Sequence, residues 1–410
     1  MITVEAARKI ILAEIRVMGR EKCLLSQTLG RTLAEELVSP LNHPPWDTSA
    51  MDGYAVRKTD IPKASPSEPR TLKVIETIPA GRLPEKELGP GEVAKIMTGA
   101  PLPEGADAIV RVEDTEGAGE EVSIFVVPED GEFIRRKGEA VRVGDAILKR
   151  GIQIRPAEIA MMASVGKSVV PVFQKPRVAI LSTGDELADL DEVRGPEKIL
   201  NSNGYGLAAQ VSDAGGVPIS LGIAKDTHAD LIEKLKEGLH ADIILASGGV
   251  SMGDYDFVIE VLKELGAEMK FWKVSMKPGR PLAFGVISGK PVFGLPGNPV
   301  SSMVSFEQFV RPAILLASGR NEICRPTMKA VLKEEIRKRP GRRLFLRAVV
   351  SSRGGELSVC LAGDQDSAVL MSLVKANAFM ILPEEGDLVK SGEEVTVQFL
   401  SDIHMDDSAE

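Results

Sequence analysis

Along residues 3–19, Val4, Ala7, Ile11 and Ile15 recur on one face and Thr3 stands where a cap belongs. That spacing predicts an amphipathic helix. From 44 to 139 the pattern changes to short β-rich runs, TLKVIETI, VAKIMTG, DAIVRVED and EVSIFVV, separated by Pro/Gly turns. They predict a small β-rich module. Residues 140–172 return to mixed character and end in the helical pattern PAEIAMMASVG. The module therefore reads as an insertion, 44–139, between two halves of a linking α+β domain, 1–43 and 140–172.

A different rhythm fills 173–322. Apolar runs RVAILS, PISLGIA, ADIILAS, LAFGVI and PVFGL alternate with helical patterns, the last and longest being NPVSSMVSFEQFVRPAILLASG. Strands alternating with helices predict an α/β domain with a parallel sheet covered on both faces. Residues 323–403 are strand and turn again, with VSSRGGELSV as a hairpin. The chain is thus expected to be multidomain, α/β and β.

Composition narrows the function. Net charge is −9 and aromatic content 4%, so neither a basic nucleic-acid face nor a stacking platform is expected. Cys23, Cys324 and Cys360 are odd in number and widely spaced, which suits a reducing, cytoplasmic setting rather than a disulfide framework. No run reaches the ~18 apolar residues that a membrane span requires, and the charged N-terminus is not a signal peptide.

Chemistry concentrates in loops. Ligands of open α/β sheets bind at the carboxyl ends of the strands. Three unusual loops should lie on that edge: STGDEL (182–187), SGGVSMGDYD (247–256) and GLPGNPVS (294–301). In the first, Ser182, Thr183 and Gly184 precede Glu186, a metal ligand, a general base or a solvated carboxylate. In the second, Gly248, Gly249 and Gly253 let backbone amides approach a ligand, and Ser247 and Ser251 add hydroxyls, which suits an oxyanion. Asp254 reads either as a Mg²⁺ ligand or as a helix cap. In the third, Pro296 and Gly297 lead to Asn298, a good N-cap, and Pro299, suited to the first helical position. The amides of Val300 and Ser301 then form an anion site or belong to a well-capped helix. Lys277 and Arg280 flank a Pro-Gly turn in MKPGRP (276–281) and read as phosphate ligands or as surface charges. Outside this segment, DTSAMDGYAVR places Asp52 in a turn, and KIMTGAPLPEGADAIV places Thr98 at a strand end. No P-loop, dinucleotide fingerprint or catalytic triad is present.

The stretches SAMDGYAVR, IMTGAPLPEGADAIV, ILSTGDEL, NSNGY, SGGVSMGDYD, MKPGRPLAFG and GLPGNPVSS together closely resemble the molybdopterin molybdenumtransferases, relatives of the E domain of gephyrin. The resemblance implies an L-shaped homodimer, with a molybdopterin-binding α/β domain and a C-terminal β-barrel beside the linking domain and inserted module. It implies that adenylylated molybdopterin and molybdate are converted to molybdenum cofactor and AMP, assisted by Mg²⁺ or a similar divalent cation. It also offers the molybdopterin adenylyltransferase as a partner. By position it makes Asp52, Thr98, Glu186, Asp226, Asp254, Lys277, Pro296 and Pro299 functional. Arg347 and Ser367 become the barrel's contribution to oxyanion binding. Thr48 and Arg280 depart from the family pattern, which has asparagine and lysine there, but both keep hydrogen-bonding capacity. Tungstate insertion and a non-catalytic pterin-binding scaffold are the alternatives, and the adenylyltransferase itself is the rival for the α/β segment alone.

Overall fold

The computed structural model describes residues 1–117, 119–192, 195–249, 257–401 and 404–405. Its central α/β unit runs Arg177–Thr183 (β1), Ser202–Asp213 (α1), Val217–Ala224 (β2), His228–Gly238 (α2), Ile243–Ser247 (β3), Val258–Glu264 (α3), Glu268–Trp272 (β4), Ala283–Ile287 (β5), Lys290–Leu295 (β6) and Pro299–Ser305 (α4). The strands lie in the order β2-β1-β3-β6-β5-β4. Alternate side chains of β1 enter opposite cores. Val178 and Ile180 pack with Leu207, Val211, Val300 and Val304, whereas Ala179 and Leu181 pack with Leu231, Leu235, Val258 and Val261. Burial on both faces explains why β1 and β3 read as continuous apolar runs.

The sheet is only partly parallel. β2, β1, β3 and β6 run in one direction, but β5 and β4 are antiparallel. Only Ser288 and Gly289 separate β5 from β6, and both have positive φ, 52° and 75°. A two-residue link of this kind closes a hairpin and cannot make a parallel crossover. The long C-terminal helix also differs from its even pattern. Phe306–Val310 forms a π turn between α4 and a further α-helical stretch, Arg311–Ala317. The wider turn ends two residues before Pro312, which has no N–H for an α-helical ladder.

The first helix is Val4–Glu14, shorter than the apolar spacing suggested, and the Thr3 hydroxyl accepts from the Ala6 amide at 3.2 Å as expected. It ends where Ile15 turns extended and the Met18 amide bonds the Ala317 carbonyl. Val4, Ala7 and Ile11 join the α/β core rather than a core of the linking segment. That segment has its own cluster of Cys23, Leu33, Leu37, Ile154, Met162, Val170 and Val172. Arg20–Leu24 pairs antiparallel with Val169–Phe173, so the chain leaves and re-enters this unit around the β-rich stretch. In that stretch Gly53–Val56 lies between Ala108–Arg111 and Glu92–Ile96 in one sheet.

At the C-terminus five strands close on themselves. Arg343–Arg353 pairs with Glu356–Leu361 and with Ala378–Leu382, and Thr327–Leu332 and Glu394–Phe399 complete the ring. The predicted hairpin is formed, with Gly354 and Gly355 at φ 60° and 86°. Met276–Lys277 pairs in parallel with Arg343–Leu344, which ties the α/β unit to the barrel at the MKPGRP turn.

Candidate active site at the strand ends

A cavity of about 660 Å³ opens where β1, β2, β3 and β6 end. Ser182, Thr183, Gly184, Glu186, Asp226, Ser247, Gly248, Gly249, Pro296, Gly297, Asn298, Pro299 and Ser301 all line it. The three loops therefore converge, as their placement after parallel strands required. Ser251 and Asp254 lie outside the described residues.

The glycines are needed for close approach. A Cβ on Gly248 would stand 2.5 Å from the Thr183 carbonyl oxygen, and one on Gly249 would stand 2.8 Å from the Val258 side chain. Both residues also have positive φ, 103° and 61°, where a side chain is strained. The β1 and β2 loops are cross-linked. The Asp185 amide donates to the Asp226 carboxylate at 3.3 Å, and the Asp226 amide donates to the Asp185 carboxylate at 3.2 Å.

Two residues that the motif reading did not single out hold the loops together. Asn201 caps α1 by accepting from the Gly204 amide, and its Oδ1 also accepts from the Ser182 hydroxyl at 2.8 Å. Asn203 donates from Nδ2 to Ser247 Oγ at 3.0 Å and to the Gly297 carbonyl at 2.7 Å. One amide thus joins the ends of β3 and β6. The signal was present as two asparagines around one serine in NSNGY, a stretch that carries the family resemblance, but neither asparagine has a role assigned from the sequence.

Asn298 departs from its expected role. It occupies the N-cap position of α4, yet its side chain makes no capping bond. Its Nδ2 donates instead to Ser367 Oγ at 2.7 Å, and the Val300 amide donates to the Ser367 carbonyl at 3.1 Å. Ser367 therefore belongs to the edge of this cavity, and one of the two amides assigned to an anion is occupied by the barrel.

Lys277 and Arg347 line a second cavity of about 800 Å³ against the barrel. Arg280 is exposed and lines neither cavity. Arg347 is 1% exposed. Its Nε donates to Ser372 Oγ, and its Nη2 donates to the carbonyls of Asp364 and Asp366. Burial lowers its pKa, while Asp364 and Asp366 pull it back up. The two cavities share a wall. Lys277, Pro278 and Gln365 face the barrel side, and Pro281 and Ala368 face the strand-end side.

Their electrostatics are opposite. Among the described residues the strand-end cavity is lined by two carboxylates, Glu186 and Asp226, and no cation. The barrel cavity is lined by Lys277, Arg337, Lys338, Arg339, Arg342 and Arg347, and no carboxylate. Asp52 and Thr98 meet each other in the β-rich module and line neither cavity. Asp52 Oδ1 accepts from the Thr98 amide at 2.7 Å and from its hydroxyl at 2.8 Å. These two bonds hold the Asp52 carboxyl below its usual range.

An α/β unit that brings glycine backbone and hydroxyls together at its strand ends is thus joined to a barrel whose cavity is lined by cations. The comparisons make this specific. The family models described as MoeA N-terminal region (domain I and II), probable molybdopterin binding domain, and MoeA C-terminal region (domain IV) match residues 2–166, 179–315 and 329–400. The molybdopterin molybdenumtransferase of a Nostoc species is 39% identical over 90% of this chain and 86% of its own length. Molybdopterin molybdenumtransferase 2 of Mycobacterium tuberculosis is 38% identical over 97% and 99%. The crystal structure of a molybdopterin biosynthesis MoeA protein from Pyrococcus horikoshii OT3 superposes with a TM-score of 0.84 at 31% identity, covering 97% of this chain and all of that one. The chain belongs to the molybdopterin molybdenumtransferase family. Among the described residues no helix is long and apolar enough to cross a membrane.

Proposed function

We propose that this protein inserts molybdenum from molybdate into adenylylated molybdopterin, releasing AMP and forming molybdenum cofactor. The observation that carries the reading is the pairing of two unlike cavities across one wall. The strand-end cavity has the amides and hydroxyls for a phosphorylated pterin, and the barrel cavity has the cations for a tetrahedral dianion. The names of the relatives favour molybdate over tungstate.

The strand-end cavity alone would repel a phosphoanhydride, because its charged lining is carboxylate. A divalent cation such as Mg²⁺ fits that donor set, since Mg²⁺ is held by one or two carboxylates together with substrate phosphates. Glu186 and Asp226, with Asp254 from the neighbouring loop, would hold it. When bound it would neutralise charge on the phosphoanhydride. The chain's own residues orient the substrate. The Gly249 backbone and the Thr183 hydroxyl, which has no hydrogen-bond partner among the described residues, grip phosphate, with Ser182 and Ser247 fixed by Asn201 and Asn203. Pro296, Pro299 and Pro281 wall the ring system, and Lys277 with Arg347 places molybdate next to it. Breaking a phosphoanhydride requires positioning and charge neutralisation more than a nucleophilic side chain.

Asp52 and Thr98 lie on the inserted module, away from both cavities of their own chain. A homodimer in which this module completes the partner's site accounts for them. A cytoplasmic location and delivery of substrate by the adenylyltransferase complete the proposal. The test follows AMP after adenylylated molybdopterin is added with and without molybdate. Molybdate-dependent release is expected. Synthesis of adenylylated pterin from ATP, or binding with no AMP release, would overturn the assignment.

A further inference from the structure

The segment Arg337–Arg343, RKRPGRR, carries five cations in seven residues and leads into the long barrel strand. The structure divides them into two groups. Lys338 is buried and donates from Nζ to the carbonyls of Pro383 and Glu385, and its amide bonds the Asp387 carbonyl at 2.8 Å. Arg343 pairs with Glu5 and, at 3.2 Å, with Glu384. These two side chains fasten the turn. Among the described residues Arg337 meets only the exposed Glu335. The side chains of Arg339 and Arg342 make no hydrogen bond or ion pair to any described residue. All three line the cavity that also holds Lys277 and Arg347. A turn that needed charge only for solubility would not require two cations spent on anchoring the rest at a cavity mouth.

We propose that Arg337, Arg339 and Arg342 form a collector for tetrahedral oxyanions, raising the rate at which the anion reaches Lys277 and Arg347 without contacting it during transfer. The inference rests on the reading that molybdate binds in the barrel cavity. The surrounding protein carries a net charge of −9, which works against capture of a dianion. A local positive rim reverses that field where it matters, and such focusing changes association rates by 10- to 1,000-fold, about tenfold for a modest patch. The effect weakens as salt screens exposed charges over about 8–10 Å.

The test uses the full-length triple variant Arg337→Gln, Arg339→Gln, Arg342→Gln, with Lys277→Ala beside it. Molybdate kcat/KM is measured from low to high ionic strength, with adenylylated molybdopterin saturating. The collector predicts a loss of about tenfold at low salt and a flattened salt dependence. It also predicts an unchanged kcat at saturating molybdate and an unchanged KM for the pterin. A triple variant with wild-type kcat/KM and salt dependence overturns the collector, and so does one that loses kcat at saturation. If Lys277→Ala abolishes turnover while the triple variant keeps wild-type kcat/KM and salt dependence, only the collector fails. If neither variant changes molybdate kcat/KM, the barrel site itself is wrong.

Discussion

Asn203→Ala is the sharpest probe of how the strand-end cavity is assembled. The substitution removes the amide that donates to Ser247 Oγ at 3.0 Å and to the Gly297 carbonyl at 2.7 Å. Each neutral hydrogen bond contributes about 0.5–1.5 kcal/mol net, so the loss is about 1–3 kcal/mol. Both acceptors line the cavity proposed for the pterin. If the whole loss falls on the bound transition state, kcat/KM drops roughly 5- to 150-fold. The drop should appear mainly as a higher KM for adenylylated molybdopterin, with the molybdate KM unchanged, because molybdate is assigned to the other cavity. The assay is AMP release at varied pterin and saturating molybdate, with a melting curve to show that the fold is intact. Asn203→Asp keeps the shape but cannot donate, and it sets a carboxylate against the Gly297 carbonyl. It should be at least as impaired. A folded Asn203→Ala protein with wild-type pterin KM, or one with a raised molybdate KM alone, refutes the reasoning.

Gly248→Ala should cost more than a surface glycine change. Its Cβ would sit 2.5 Å from the Thr183 carbonyl at a φ of 103°, so pterin binding is expected to fall at least tenfold, on the order of 1.4 kcal/mol, as checked by equilibrium binding. Asp52→Ala and Lys277→Ala chains are each expected to be inactive alone, and co-expression should restore activity if each site draws on two chains. No recovery in the mixed dimer would place both residues in one chain's site. Glu158 is held at a pKa of about 2, first by the Arg155 side-chain hydrogen bond. A depressed carboxyl stabilises above its unfolded value and loses that contribution as pH falls through the folded one. Glu158→Gln should therefore melt below wild type above pH 4.5, and the gap should close as pH falls toward 2. An equal gap at both ends would contradict the pair's role.

Much of the site was legible because parallel strands place their carboxyl ends on one edge. Once RVAILS, ADIILAS and PVFGL are read as parallel strands of one sheet, STGDEL, SGGV and PGNPVS fall on the same edge. What escaped depends on partners far away in sequence. The donor–acceptor partners of Asn203 lie 44 and 94 residues on, and nothing in NSNGY announces them. Asn298 had every local sign of a cap, yet Ser367, 69 residues later, takes its amide. The antiparallel edge of the sheet was legible in principle, since Ser-Gly between two apolar runs is a hairpin signal. The helical rhythm around it pointed the other way. The first helix stopped at Glu14 because Met18 is drawn to the Ala317 carbonyl, a contact that no apolar spacing reveals. The cationic turn 337–343 passed unread because a run of like charges in a turn looks solvated until its partners are known.

The central claim is that release of AMP and insertion of the metal are one coupled event across the wall between the two cavities. The most direct measurement counts both products of one turnover: AMP released, and molybdenum bound to pterin as read by reconstitution of an apo-molybdoenzyme. The account predicts one molybdenum inserted per AMP, with Lys277→Ala losing both together. AMP released in full with no metal inserted, or metal inserted with no AMP released, would contradict it.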